Sequence, residues 1–568
     1  MKNATSKTQL LLTLIVAVTL FLAPAAFAAA PGITGTGTVG TFNLTAQDGY
    51  LNQPDGNAVY SWGYGCVATS SPTFVPAAIV GAYCNTMQVP GPTMVVTEGN
   101  TVTIHLTNNL PTAAGNTSIL FPGFNVTTTC PASTTAGAPQ QGLLTCEAVP
   151  GGSVTYTFTA SEAGTHPYYS GTQGDLQIEM GLYGAIIVLP SNPGNGTCDT
   201  NNVTNLYGKT DYGTAHGIAG FPEQDFRLAH AAYDHPATCY DREYLFQWAE
   251  MDSRIHRQAL AQVQAKVGCV AGSMGCSLDV QTEPYHPAYF LINGRSMPDL
   301  MDPNYAGEYP HQPYNGNPHM HPGELTLIRT IGQGRWQHPF HEHANHVRIL
   351  SRDGGLILTP ANPTTSLSGI LMFNTDTTPG ESFDGIFYYS GRGLNWDAFG
   401  HHPQPPGPSN IATNEQPLPA DTLASLPCTP DANGYNTGNT AALNYYEWCQ
   451  DHNKPIQVNP LGDVAGGGPA TFPDPNVFTN GQWYGGTPYF GPDATLRASH
   501  PACDTPSALS CTDLNPANTQ ANPATERGWA FMWHSHNERE ITTNNVFPGG
   551  MLMMMLVDSR EFPIDESK

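Results

Sequence analysis

NTVTIHLTNNL (residues 100–110) decides the fold. Val102, Ile104 and Leu106 alternate with Thr101, Thr103, His105 and Thr107. In an extended strand such alternate side chains share one face, so this segment has an apolar side and a polar side. GSVTYTFTA (152–160) repeats the pattern with Val154, Tyr156 and Phe158, and GLYGAIIVLP (181–190) reads as a buried strand closed by Pro190. Together they predict an antiparallel sandwich over residues 35–195. SNPGNGTCDTNNVTN (191–205) then breaks the pattern and opens a linker over 196–240.

A second set of strands begins at EYLFQWAEMD (243–252). It continues through AYFLINGRSM (288–297), GELTLIRTIG (323–332), HVRILSRDGG (346–355) and FDGIFYYSG (383–391). RIHRQALAQVQAKV (254–267) alone has helix-forming composition and predicts a short connecting helix. This second sandwich occupies 241–400 and closes only at 526–560, with RGWAFMWHSH (527–536) and GGMLMMMLVD (549–558). Between the two parts, 401–525 is rich in Pro, Gly, Asn and Thr and reads as an insertion tied by cysteines.

Composition narrows the class further. Lys and Arg number 20 against 45 acidic residues, a formal net charge of −25, which argues against nucleic acid or an anionic membrane surface as partner. Lys2 and Lys7, the apolar run 10–22 and the small-x-small Ala26-Phe27-Ala28 read as a secretory signal over 1–28. That run is too short for a membrane span, and no later one is longer. The expected location is therefore outside the cytoplasm: periplasmic, cell-surface or extracellular. The twelve cysteines agree, because most fall into close pairs and none forms a CxxC. The pairs are 66/84, 130/146, 269/276, 428/449 and 503/511, leaving Cys198 and Cys239 by elimination; the sequence itself does not fix this connectivity.

Two H-x-H elements carry the chemistry: His341 and His343 in WQHPFHEHANHVRIL, and His534 and His536 in MWHSHNERE. Residues i and i+2 of a strand point the same way, so each element presents two imidazoles together. Two such strands side by side would offer four nitrogen donors, a set suited to copper or zinc. His319 and His321 in NPHMHPGE, with Glu342 and Glu540, are candidates for the same neighbourhood, and His166 and Tyr168 are candidates in the first sandwich. Each of these extras reads first as an ordinary loop residue, and His401 and His402 as solvated loop.

QHPFHEHANHVRILSRDG resembles the HPxHxH element of the multicopper oxidases, and WHSHNEREITTNNVFPGGM their closing HCHxxxH…GM element. VPGPTMVVTEGNTVTIHLTNNLP and AGTHPYYSGTQGDLQIEMGLYGAIIV resemble the opening and end of their first domain. The resemblance implies an all-β chain of two cupredoxin-like Greek-key β-sandwich domains with long disulfide-stapled loops, closer to the two-domain oxidases than to the three-domain laccases. It places His338 on the mononuclear blue-copper histidine, and His341, His343, His534 and His536 on second-domain ligands of the trinuclear cluster.

Elsewhere the ligands have changed. The first-domain HxHG is Leu120-Phe121-Pro122-Gly123 and the HxH is Tyr169-Ser170-Gly171. The blue-copper cysteine is Ser535, its second histidine is Glu540, and Met551 is the candidate axial methionine. In the nitrite-reductase layout, Ser170 and Glu179 stand where the first-domain cysteine and histidine would be. A blue-copper site depends on a thiolate, which an alcohol does not replace. Two readings stay open. One is an exported copper protein with one or two ions at the four-histidine remnant and a non-laccase oxidoreductase activity on an unknown small-molecule or metal-ion substrate. The other is a non-catalytic structural, interaction or copper-sequestering protein on the same scaffold. Two-domain relatives form trimers, so a homotrimer is the assembly the resemblance implies.

Overall fold

The alternation read at 102–106 is the register of the first sandwich. In this computed structural model Val102, Ile104 and Leu106 sit opposite Phe158, Tyr156 and Val154 on neighbouring antiparallel strands, all buried in one core. Their sheet runs Ala58–Cys66, Gly40–Asn52, Thr101–Asn108, Ser153–Thr159 and Thr127–Thr128. The facing sheet runs Gly164–Tyr169, Tyr183–Leu189, Met94–Thr97, Gly32–Thr34 and Thr73–Val75. The structure describes residues 29–35, 40–131, 137–198, 224–321, 324–388 apart from 345, 361, 362, 365, 366 and 370, then 429, 486–489, 500–503, 514–520, 528–557 and 564–566. The signal reading over 1–28, most of the insertion, His401 and His402 lie outside these residues.

The second sandwich pairs a sheet ordered Tyr289–Ile292, Arg242–Met251, Leu325–Gly332, Ser382–Tyr388, Val347–Arg352 and Gly355–Leu356 with a second sheet. That second sheet is ordered His319–Met320, Leu552–Val557, Gly528–Ser535, Pro339–Glu342 and Asn374–Asp376. Between them Trp248, Phe340, Phe387 and Trp533 pack ring on ring, with centroids 4.7–6.0 Å apart. Such aromatic packing adds specific geometry to the area it removes from water. Among the described residues the chain is all-β apart from short helical turns and one longer helix, Ser253–Ala265. That helix starts where its cap dictates: the Asp252 carboxylate accepts the Arg254 N–H at 3.0 Å. No helix among the described residues is long and apolar enough to cross a membrane.

Four expected disulfides form: Cys66–Cys84, Cys130–Cys146, Cys198–Cys239 and Cys269–Cys276. The 428/449 and 503/511 pairings each involve residues outside the described ones: Cys428, Cys449 and Cys511. Two stretches differ from expectation. Residues 224–240, read as linker, are folded onto the second sandwich: Ala232, Tyr233, Ala237 and Tyr240 share a core with Leu325, Leu327, Leu350 and Ile386. Most of the few described residues of the insertion also form strands. Gly486–Tyr489 adds a strand to Gly528–Ser535, and His500–Cys503 pairs with Leu514–Gln520.

Candidate metal centre

Pairing of Pro339–Glu342 with Gly528–Ser535 sets His341 directly opposite His534. Strand alternation then turns His341, His343, His534 and His536 to the outer face of that sheet. Ligand nitrogens of His341, His343 and His534 lie within 4.8 Å of one another. The His534 Nε2 and His343 Nε2 atoms are 3.3 Å apart. His536 is exposed, with its ring centroid 4.9 Å from that of His341.

The opposite ring nitrogens fix the tautomers. His534 Nδ1–H donates to the Ser535 carbonyl at 2.7 Å and His341 Nδ1–H to the Phe373 carbonyl at 2.5 Å. Each leaves Nε2 as a lone pair, the arrangement that outer carbonyl partners impose on metal-binding imidazoles. Burial pulls the His341 imidazolium down to about 4, with the neighbouring His534 and His536 acting in the same direction against the Phe373 contact. Burial also lowers His534. Both rings are therefore neutral ligands at ordinary pH. An all-imidazole donor set of this kind fits copper or zinc and suits neither magnesium nor calcium.

His338, expected among the metal residues, is placed otherwise. It is fully buried on the inner face, with Nδ1 2.8 Å from Glu540 Oε2 and Nε2 2.9 Å from Glu250 Oε2. Burial alone would discharge the ring, but the two carboxylates outweigh it and push it up to about 9. Both ring nitrogens carry protons, so His338 as it stands has no lone pair for a metal. Ser535 Oγ–H donates to the same Glu540 oxygen at 2.5 Å, and Asn537 to the other at 2.9 Å. The Arg335 and Trp336 N–H groups donate to Glu250 at 2.7 and 2.9 Å. Met551 is fully buried next to this group, its backbone bonded to Ser535 and Glu540. A cation thus persists at the position the resemblance gives to blue copper, carried by an imidazolium.

Glu250 was not read from the sequence as a site residue; its signal is a carboxylate near the end of the largely apolar run YLFQWAEM. The Phe373 carbonyl has no sequence signal. His319 and His321 are not with the cluster. Their strand pairs at Leu556 and Val557, whereas His534 pairs at Leu552. His166 is buried against Phe124, and Tyr168 OH donates to the Pro92 carbonyl. Glu342 points inward, where Thr375 Oγ1 donates to it at 3.2 Å and burial raises its carboxyl well above the usual range.

The first-domain segments that resemble ligand motifs do meet: Leu120 and Tyr169 bond backbone to backbone. Instead of imidazoles they line a cavity of about 600 Å³, with Leu144, Gly171 and Ile178.

Residues 80–193 match the family profile described as "Multicopper oxidase". Through this segment the chain is similar to the multicopper oxidases. An L-ascorbate oxidase of Brassica rapa subsp. pekinensis is 38% identical over 101 residues, 18% of this chain and 16% of that protein. Laccase-3 of Botryotinia fuckeliana is 30% identical over 163 residues, 26% of this chain and 32% of that one. The matches thus span less than half the length of these curated relatives. Among solved structures, the blue copper oxidase of Nitrosomonas europaea is 14% identical with a TM-score of 0.39, covering 91% of this chain and 85% of that one.

Proposed function

We propose that this chain is an exported copper protein of the multicopper oxidase family that binds copper at His341, His343, His534 and His536. Any oxidoreductase chemistry there proceeds without a thiolate electron path. One observation carries the reading: two imidazole Nε2 atoms face each other at 3.3 Å, in a cluster where carbonyls tie back the Nδ1 atoms of His534 and His341. Imidazoles held so, with a third donor in reach, can turn their Nε2 atoms onto one cation. Copper is favoured over zinc by the family; the number of ions, the substrate and a trimeric assembly belong to the same proposal. The non-catalytic reading draws on a different observation, the cavity lined by Leu120, Tyr169 and Gly171 where the family carries its other ligands.

Cu(II) titration followed by electron paramagnetic resonance tests the site. The expected spectrum has the large hyperfine splitting of nitrogen coordination, with no intense thiolate absorption. His534→Ala with His536→Ala should abolish tight binding. Unchanged stoichiometry in that variant moves copper elsewhere and sinks the assignment. Turnover of phenols or metal ions by the copper-loaded protein then separates enzyme from copper store.

A further inference from the structure

We propose that Met532 and Met554, with His343, form a soft-donor position for a monovalent copper ion beside the imidazole cluster. As a holding position for that cluster it rests on the copper reading above. Met532 lies two residues before His534 on the same strand and so shares its outer face. Met554 is its directly paired partner on the strand Leu552–Val557. On the other side Glu342 pairs with Trp533, and the next residue, His343, donates its N–H to the Met532 carbonyl at 3.2 Å. Met532 therefore stands between a thioether and a member of the imidazole cluster.

Exposure separates this pair from the core. Met532 is 40% exposed and Met554 half-buried, whereas Phe531, Trp533, Met553 and Met555, which face the other way, are at most 1% exposed. Core packing thus explains the second group and not the first. Directly opposed residues in a sheet have Cβ atoms about 4.5–5.5 Å apart. Two flexible thioether arms and an adjoining imidazole can close on one ion across that spacing. Thioether sulfur selects soft Cu(I) over harder cations, whereas the all-imidazole cluster also suits Cu(II). The two positions are thereby sorted by oxidation state on one face.

The test uses the full chain, metal-free, titrated anaerobically with Cu(I) against a chromophoric chelator. The comparison is Met532→Leu/Met554→Leu, which keeps volume and apolarity. The variant should lose one Cu(I) equivalent or bind it roughly tenfold to a hundredfold more weakly, the scale at which loss of supporting groups is felt at metal sites. X-ray absorption should show a sulfur neighbour in the wild type and none in the variant, with Cu(II) binding unchanged. Independently of any variant, Ag(I) should shift the methyl resonances of Met532 and Met554 and not those of Met553 and Met555. Equal Cu(I) stoichiometry and affinity in the two proteins, no sulfur neighbour, or unshifted methyls overturns the proposal. Failure of the copper reading shows separately, as absence of Cu(II) binding by the wild type.

Discussion

His338 is a charged group that burial would discharge and two carboxylates keep charged. Removing one partner from a buried ion pair typically costs about 3–5 kcal/mol, because the other charge is left uncompensated. Glu250→Ala should lose stability on that scale. The sign of the pH dependence follows from the direction of the shift. The folded value lies above the ordinary histidine value of about 6.5, so the stabilisation is fully present below that pH and is lost as pH rises through about 9. Urea unfolding of the wild type should weaken across this window, and His338→Gln should flatten that part of the profile. Equal slopes in the two proteins would show that the ring is neutral. The same geometry bears on Ser535. Ser535→Cys alone leaves the Nδ1 atom of His338 held by Glu540, so no blue copper should form. With Glu540→His added, that nitrogen is released, while Glu250 stays on Nε2 as the orienting carboxylate. An intense thiolate absorption on adding copper to the double variant, and none in the single, is the expected result; two colourless variants would sink the alignment.

At the scale of elements, period-two alternation made most strands legible, because one buried face forces it. The H-x-H pairs were legible for the same reason, and the register His341 opposite His534 needed only that the two strands be neighbours. Residues 224–240 were not legible. They contribute Tyr233 and Tyr240 to a core without any repeat, held by contacts such as Arg227 to the Asp225 carboxylate. The role of His338 was hidden as well, because its partners Glu250 and Glu540 come from strands and loops far apart in sequence. The helix Ser253–Ala265 was legible from composition, but its start is set by Asp252, which also accepts the His286 N–H at 2.8 Å. Asp252→Ala should cost about 1–2 kcal/mol through the lost cap, read as a lowered denaturation midpoint. A change within a few tenths would show that Arg254 and His286 find other partners.

The two sandwiches join through both apolar and charged contacts. Val59, Met87, Val89 and Tyr183 of the first pack with Ala249, Met251, Tyr289 and Leu291 of the second. Beside them Asp384 accepts Thr165 Oγ1–H at 2.6 Å and Tyr233 OH at 2.5 Å, and lies 3.7 Å from the buried guanidinium of Arg329. Arg329 in turn bonds Glu243 at 2.9 Å and Thr165 at 3.2 Å. A seam of this kind couples the halves, since opening it exposes apolar surface and leaves its charges without partners. The wild type should therefore unfold in one calorimetric transition over both sandwiches. Asp384→Ala removes the acceptor shared by Thr165 and Tyr233 and takes from Arg329 one of its two nearby carboxylates, Glu243 being the other. The expected outcome is a loss of about 3–5 kcal/mol and separation into two transitions, the first-sandwich one carrying the Cys66–Cys84 and Cys130–Cys146 disulfides. Should the variant keep a single transition at an unshifted temperature, the apolar contacts alone hold the halves together and the charged seam is dispensable.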